Sequence, residues 1–428
     1  MTPAALIHHA RESLRGSSLR NVYWEASILL RELSQLFQPR NAVFRRHVLN
    51  DHGRYLFSSV RPVSGEAPSR AKAAVDWLLR AQEAGGDGGV ALGYFPCARE
   101  NPGWRPSYPE TTGYIITSLL AYSRLHRDED IAAAAMKMVD WEIRIQMPSG
   151  AVQGGQVCPP EEQTAAAFNT GMVLDGLCSA YLHRPDPAVL QAARRAADFL
   201  VSDLDESFYF KTNGAFVSVG EIKTYTCLCA WAVYRFGKIV DEHSYMTAAT
   251  QVIEAALRQQ QPNGWFSSNC LNRSSAPLTH TIGYTLQGIL EVGVLSGRAD
   301  FVVQVRKTVD RILPLISSQG YLPGRFYADW KPAALSSCLT GSAQIAIVCY
   351  RLAQELRETK YQLAADRLVN FLKGVQLVES ENPALQGALA GSFPLFGGYM
   401  RAGYPNWATK YLLDALMLQM QAEKPPAA

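Results

Sequence analysis

Asp76-Trp77, then Gln82, then Gly85-Gly86-Asp87-Gly88-Gly89 is the stretch that decides the fold, because it recurs along the chain. Asp140-Trp141 precedes Gln146 and Ser149-Gly150, and Asn370-Phe371 precedes Gln376. Weaker copies begin at Asp198-Phe199, at Glu254 (ahead of Gln260 and Asn263-Gly264-Trp265-Phe266) and at Asp310. The anchors at positions 76, 140, 198, 254, 310 and 370 are 64, 58, 56, 56 and 60 residues apart. A period of this size marks a repeat architecture.

Each unit reads as two helices. The first carries apolar residues at helical spacing, such as Ala74, Trp77, Leu78 and Ala81. Helices of this kind are predicted over 69–83, 130–146, 186–203, 242–260, 299–317 and 360–376. The second helix is apolar all round, over 111–125, 169–183, 224–238, 280–295, 339–354 and 406–421. A helix apolar on every side is buried on every side. Half-exposed helices alternating with buried ones imply two concentric rings, an all-α fold of the (α/α)6 toroid type.

Short links such as His126-Arg127-Asp128 and Arg184-Pro185-Asp186-Pro187 are expected to close one end. The links at 85–110, 147–168, 204–223, 261–279, 318–338 and 377–405 are long and rich in Gly, Pro and aromatics. Loops gathered at one end of a rigid scaffold are where binding and chemistry usually sit. Residues 67–421 therefore form the toroid and 1–66 a helical cap, with helices at Pro3–Leu14 and Asn21–Phe37 and a connector at Arg61-Pro62-Val63-Ser64-Gly65; 422–428 is a frayed tail.

Composition narrows the function. In 428 residues, 48% are apolar and 18% charged, which suits a large core. A net charge of +3 with no basic-aromatic strip argues against a nucleic-acid partner. No apolar run reaches the roughly 20 residues of a transmembrane helix. Residues 1–20 lack a signal-peptide core, and the 8 cysteines form no CxxC pair. Cys178, Cys227, Cys229 and Cys349 lie in apolar helical stretches, so reduced thiols and a cytoplasmic location are expected.

The inner helices begin alike: Pro109-Glu110-Thr111-Thr112-Gly113-Tyr114, Phe168-Asn169-Thr170-Gly171, Lys223-Thr224-Tyr225, Thr279-His280-Thr281-Ile282-Gly283-Tyr284, Leu339-Thr340-Gly341 and Pro405-Asn406-Trp407. The threonines suit helix capping. The residue before each faces the ring axis, so Glu110, Asn169, Lys223 and His280 should converge with Tyr404 and Asn406. Six helix N-termini around one space would favour an anionic ligand. Glu110 could be a capping carboxylate or a general acid, and His280 a satisfied core histidine or a base. In Gly324-Arg325-Phe326-Tyr327-Ala328-Asp329-Trp330, Arg325 and Asp329 read as a surface ion pair or as a carboxylate clamp. Tyr94, Phe95, Trp104, Tyr108, Trp265, Phe266, Trp330, Tyr399, Tyr404 and Trp407 crowd the same loops. They offer flat faces for sugar rings, or for isoprenoid carbocations. Cys270 and His280 have no ligand spacing around them, so neither a metal nor another cofactor is expected.

Ser107-Tyr108-Pro109-Glu110-Thr111-Thr112-Gly113-Tyr114, Pro277-Leu278-Thr279-His280-Thr281-Ile282-Gly283-Tyr284, Cys338-Leu339-Thr340-Gly341-Ser342-Ala343-Gln344 and Tyr404-Pro405-Asn406-Trp407-Ala408 carry a resemblance. It is to bacterial toroid proteins of the prenyltransferase/squalene-cyclase-like repeat type associated with polysaccharide gene clusters. More distantly, the chain resembles the helical domain of glucuronyl 5-epimerases and uronate lyases, which implies a carbohydrate ligand. Asp-x-Asp-Asp and Asp-Asp-x-x-Asp motifs are both missing, and Asp128-Glu129-Asp130 lies at the wrong end.

The expected function is therefore a carbohydrate-active enzyme working on an acidic poly- or oligosaccharide by uronate epimerisation or β-elimination. His280 or Tyr108 would be the base and Glu110 the acid, with Arg325, Asn169 and Lys410 near the substrate carboxylate. Trp104, Lys223, Trp265, Trp330, Tyr404 and Asn406 would complete the binding surface. Glycoside hydrolysis would instead pair Glu110 with Asp329 or Glu221. A terpene or prenyl cyclase without Asp-x-Asp-Asp would show a closed aromatic cavity rather than an open charged groove. A glycan-binding scaffold without turnover is the third possibility.

Overall fold

The structure, a computed structural model, describes residues 19–98, 101–214, 221–271 and 273–423. The outer helices are α3 (Ala67–Gly85), α5 (Glu129–Ile145), α7 (Pro187–Ser202), α9 (His243–Leu257), α11 (Ala299–Ile312) and α13 (Thr359–Val375). The inner helices are α4 (Pro109–His126), α6 (Ala167–His183), α8 (Cys227–Val240), α10 (Thr279–Ser296), α12 (Leu339–Leu356) and α14 (Asn406–Ala422). On α11 only Phe301, Val302, Val305, Thr308, Val309 and Ile312 are buried, a single stripe facing inward. On α10 burial runs almost unbroken from Thr279 to Leu290, as an inner-ring position requires. Each inner helix packs on the next, and α14 returns to α4, closing the (α/α)6 toroid; α3 packs on α14.

The recurring Gln explains the sequence period. Gln146 Nε2 donates to Gly150 O of its own turn (2.9 Å) and to Ala192 O of the next outer helix (3.0 Å). Gln82 reaches Gly88 O and Ala134 O, and Gln260 reaches Gln304 O. Gln376 reaches Gly387 O and then Arg70 O, stitching the last repeat to the first. Gly150 has φ +86°, and a Cβ there would run into the Arg195 carbonyl, so only glycine lets the turn lie against the neighbouring helix. Repeats three and five lack this Gln, which is why their sequence copies are weak.

The threonines do not cap their own helices. Thr112, Thr170 and Thr409 instead accept from the loop N–H groups of Val90, Val152 and Leu389. Free N–H groups at the inner-helix starts bond to the next repeat's loop. Ala167 donates to Thr212 O (2.7 Å), Thr224 to Ser268 O (3.2 Å), Thr279 to Gly324 O (2.9 Å), Leu339 to Gly391 O (3.1 Å) and Asn406 to Leu92 O (2.9 Å). One donor at each of these five helix starts is therefore held by the neighbouring loop.

Short strands knit the long loops. β1 (Gly93–Phe95) pairs antiparallel with both β2 (Gly103–Trp104) and β5 (Tyr404–Pro405), joining the first and last repeats; β3 (Ser337–Cys338) pairs with β4 (Ser392–Phe393). Before the toroid come α1 (Leu19–Leu36), which falls within the expected second helix but for its first residues, and α2 (Ala42–Leu56), which the sequence reading lacks. The expected helix at Pro3–Leu14 lies outside the described residues. α2 sits on the long-loop end: Tyr55 Oη donates to Leu335 O, Asn41 to Pro96 O, and Leu395 N–H to Asp51 Oδ2 (2.7 Å). No described helix is long and apolar enough to cross a membrane. All 8 cysteines are free, and all but Cys158 are buried.

Candidate active site

Glu110, the second residue of α4, sits deep in the ring yet keeps accessible surface. It forms no hydrogen bond or ion pair with any described residue. Loss of hydration disfavours its carboxylate and pushes the pKa up to about 8. The acid is therefore mostly protonated at neutral pH. Its charge, when formed, would be felt by the phenols of Tyr108, Tyr114, Tyr225, Tyr284, Tyr399 and Tyr411.

The chamber is built from turns of neighbouring inner helices. Tyr114 lies four residues after Glu110, Tyr284 four after His280, and Tyr411 four after Trp407, so each pair shares a helix face. Tyr114 and Tyr284 each approach Tyr411, with ring centroids 5.7 and 5.9 Å away. Phe168 packs on Tyr225 (5.3 Å) and Tyr284 (4.9 Å). The Tyr114, Tyr284 and Tyr411 hydroxyls and the Gln344 carboxamide interact with one another, but the Tyr114 and Tyr284 hydroxyls and Gln344 Nε2 gain no hydrogen bond of good geometry. Such groups call for water or a ligand in the same space.

His280, on the first turn of α10, faces Tyr284 at 4.4 Å and Tyr399 at 5.4 Å. Its Nδ1 is 2.8 Å from Gln344 Oε1, which accepts the Nδ1 proton and leaves Nε2 with its lone pair. Burial pulls its pKa down to about 4, so the ring is neutral at pH 7. Gly341 permits this placement, because a Cβ there would lie 2.5 Å from the His280 backbone nitrogen. Tyr108 sets its hydroxyl against the Gly155 N–H and the Asn169 carboxamide, and burial raises its pKa. Asn169 Nδ2 donates to Gln153 O at 2.8 Å. Lys410 pairs with Asp414 at 2.8 Å and lies over Tyr114 and Tyr411, at 4.8 and 4.0 Å. Lys223 pairs with Glu221 at 2.7 Å and touches the Cys270 thiol. Arg325 keeps some accessible surface and donates to Ala276 O at 2.7 Å.

Five expected residues do other work. Asp329 is exposed and paired with Lys331 at 2.7 Å, so it forms no ion pair with Arg325 and is no partner for Glu110. Trp330 and Trp265 pack edge to face at 5.5 Å as buried loop core. Tyr404 points at the cap, against Phe44 and His47, rather than at the ring axis. Asn406 is fully buried and donates to Ala91 O (2.9 Å) and Thr111 Oγ1 (2.8 Å), closing the seam between last and first repeats. Trp104 remains half-buried, packed on Trp77 and Tyr94. The sequence reading omits Tyr411 and assigns no role to Tyr114, Tyr225, Tyr284 or Gln344. The spacing of four from Glu110, His280 and Trp407 is the signal that finds three of them.

No protein-family model matches the chain, and no curated protein sequence matches it. Solved structures do. The unsaturated glucuronyl hydrolase from Bacillus sp. GL1 superposes with TM-score 0.67 at 16% identity, covering 84% of this chain and 97% of that one. An unsaturated glucuronyl hydrolase specific for heparin gives 0.66 at 14%, covering 84% and 98%. D-mannose isomerase gives 0.63 at 10%, covering 81% and 97%. At these identities the likeness establishes the toroid fold.

Proposed function

We propose that the chain is a carbohydrate-active enzyme that performs acid–base chemistry on an acidic oligo- or polysaccharide. The observation that carries this reading is Glu110, a protonated carboxylic acid without a counter-ion that keeps accessible surface deep in the ring. A group held protonated near pH 7 suits proton donation. Neutral His280 is the complementary acceptor through Nε2. In uronate epimerisation His280 would take the proton next to the sugar carboxylate and Glu110 would return one to the opposite face. In β-elimination Glu110 would protonate the departing glycosidic oxygen instead. The fold shared with glucuronyl hydrolases and a mannose isomerase supports sugar as the ligand class. Two-carboxylate hydrolysis is less well supported, because Asp329, Glu221 and Asp414 are each ion-paired to a lysine.

One observation favours an isoprenoid substrate: the chamber is mainly aromatic and carries little charge. Its loosely bonded hydroxyls and the neutral acid–base pair weigh toward a polyhydroxylated ligand. Incubation in deuterated water with uronate oligosaccharides, saturated and unsaturated, and with isoprenoid diphosphates, read by mass spectrometry, separates the two readings, because epimerisation changes mass only through the deuterium it takes up. Mass change only in the uronate set, lost in Glu110→Gln, is expected. Conversion only of the diphosphates would overturn the carbohydrate reading.

A further inference from the structure

Arg325 and Arg273 are two guanidiniums that share one wall beside the chamber, and no carboxylate pairs with either among the described residues. They are joined through one turn: Ala276 N–H bonds to Arg273 O (3.2 Å), and Arg325 Nη1 donates to Ala276 O. Arg273 also lies over the Tyr327 ring at 6.0 Å. Each keeps partial exposure. Burial and then the nearby Arg273 charge pull the Arg325 pKa down, and Cys270, Cys338 and Tyr399 are within electrostatic reach of it. Arg325 pairs with Leu278 in an antiparallel bridge, and Thr279 N–H bonds to Gly324 O, so this wall adjoins the start of α10 and His280. Lys223, which touches the Cys270 thiol, is already matched by Glu221.

Two partly buried cations held close together without an anion are costly unless an anion arrives. We infer that Arg325 and Arg273 form an oxyanion subsite that binds the negatively charged substituent of the glycan, a carboxylate or a sulfate ester, beside the His280 end of α10. Arg325 keeps donors free beyond Nη1, and a guanidinium can grip two oxygens of either group at once. This inference rests on the carbohydrate reading above, but its test does not depend on turnover.

Titrating the full chain with glucuronate, glucose 6-sulfate, glucose and pyrophosphate by calorimetry gives the measurement. Glucuronate or glucose 6-sulfate should bind about tenfold to hundredfold more tightly than glucose. The tighter of the two identifies the substituent. Arg325→Gln should erase this preference while leaving glucose binding in place, and Arg325→Lys should restore part of it. Arg273→Gln serves as a second variant, with thermal melts confirming folding. Equal binding of charged and neutral sugars, a preference that survives both Gln variants, or pyrophosphate binding above every sugar would overturn the assignment. Anion preference without uronate turnover would keep the subsite and remove the proton-transfer reading, and turnover without preference would do the reverse.

Discussion

Glu110 shows how a single side chain can be set by where the fold puts it. Its native pKa of about 8 stands above the 4.5 of an ordinary glutamate, so the folded protein retains a proton that the unfolded chain releases. Stability from this group is therefore greatest at low pH and is lost as pH rises from about 4.5 to about 8. Glu110→Gln removes that penalty. Urea denaturation should find the variant relatively more stable as pH increases, by about 1–3 kcal/mol above pH 8, with water in the chamber limiting the gain. A difference independent of pH would show that the carboxyl is not held protonated. The sequence identifies Glu110 and His280 because both stand at the same slot of a repeat. It misleads at Asn406, one residue before that slot, which was expected at the ring axis yet bonds Ala91 and Thr111, because a helical phase gives a direction but not a partner.

At the scale of the element, the repeated Gln and Gly form one device. Gln146 joins its own turn to the next outer helix, and Gly150 lets that turn approach. Gln146→Ala leaves the Gly150 and Ala192 carbonyls without a donor and should cost about 1–3 kcal/mol in denaturation experiments. Gly150→Ala adds a clash at a positive φ and should cost on the order of 2–3 kcal/mol. A loss below 0.5 kcal/mol in both, roughly that of an ordinary surface change, would contradict the role. The helices themselves were readable to within a few residues, since a buried face imposes its period on the sequence. The strands at Gly93–Phe95 and Tyr404–Pro405 were not, because two or three residues carry no period. Helix α2 escaped for a related reason: with only Phe44, Val48 and Asp51 buried, its apolar stripe is thin.

The whole molecule is a ring whose first and last repeats meet at one seam. Gln376 bonds Arg70, β5 pairs with β1, and Asn406 crosses to Ala91 and Thr111. Asn406→Ala should cost about 2–4 kcal/mol, because the partners it leaves are buried, and a urea transition unchanged in midpoint would refute the closure role. Period and burial pattern made the toroid legible; the seam partners, more than 290 residues apart in sequence, were not. The ring brings Glu110, His280 and the tyrosines together from helices far apart in the chain, and the central claim is that Glu110 donates a proton to a glycan there. The most direct test is kcat/KM against pH for wild type and Glu110→Gln on the best-converted uronate oligosaccharide. Wild-type activity should fall as pH rises through about 8, where Glu110 loses its proton, and the variant should lose activity at every pH. Turnover undiminished in Glu110→Gln, with the same pH dependence, would contradict the claim.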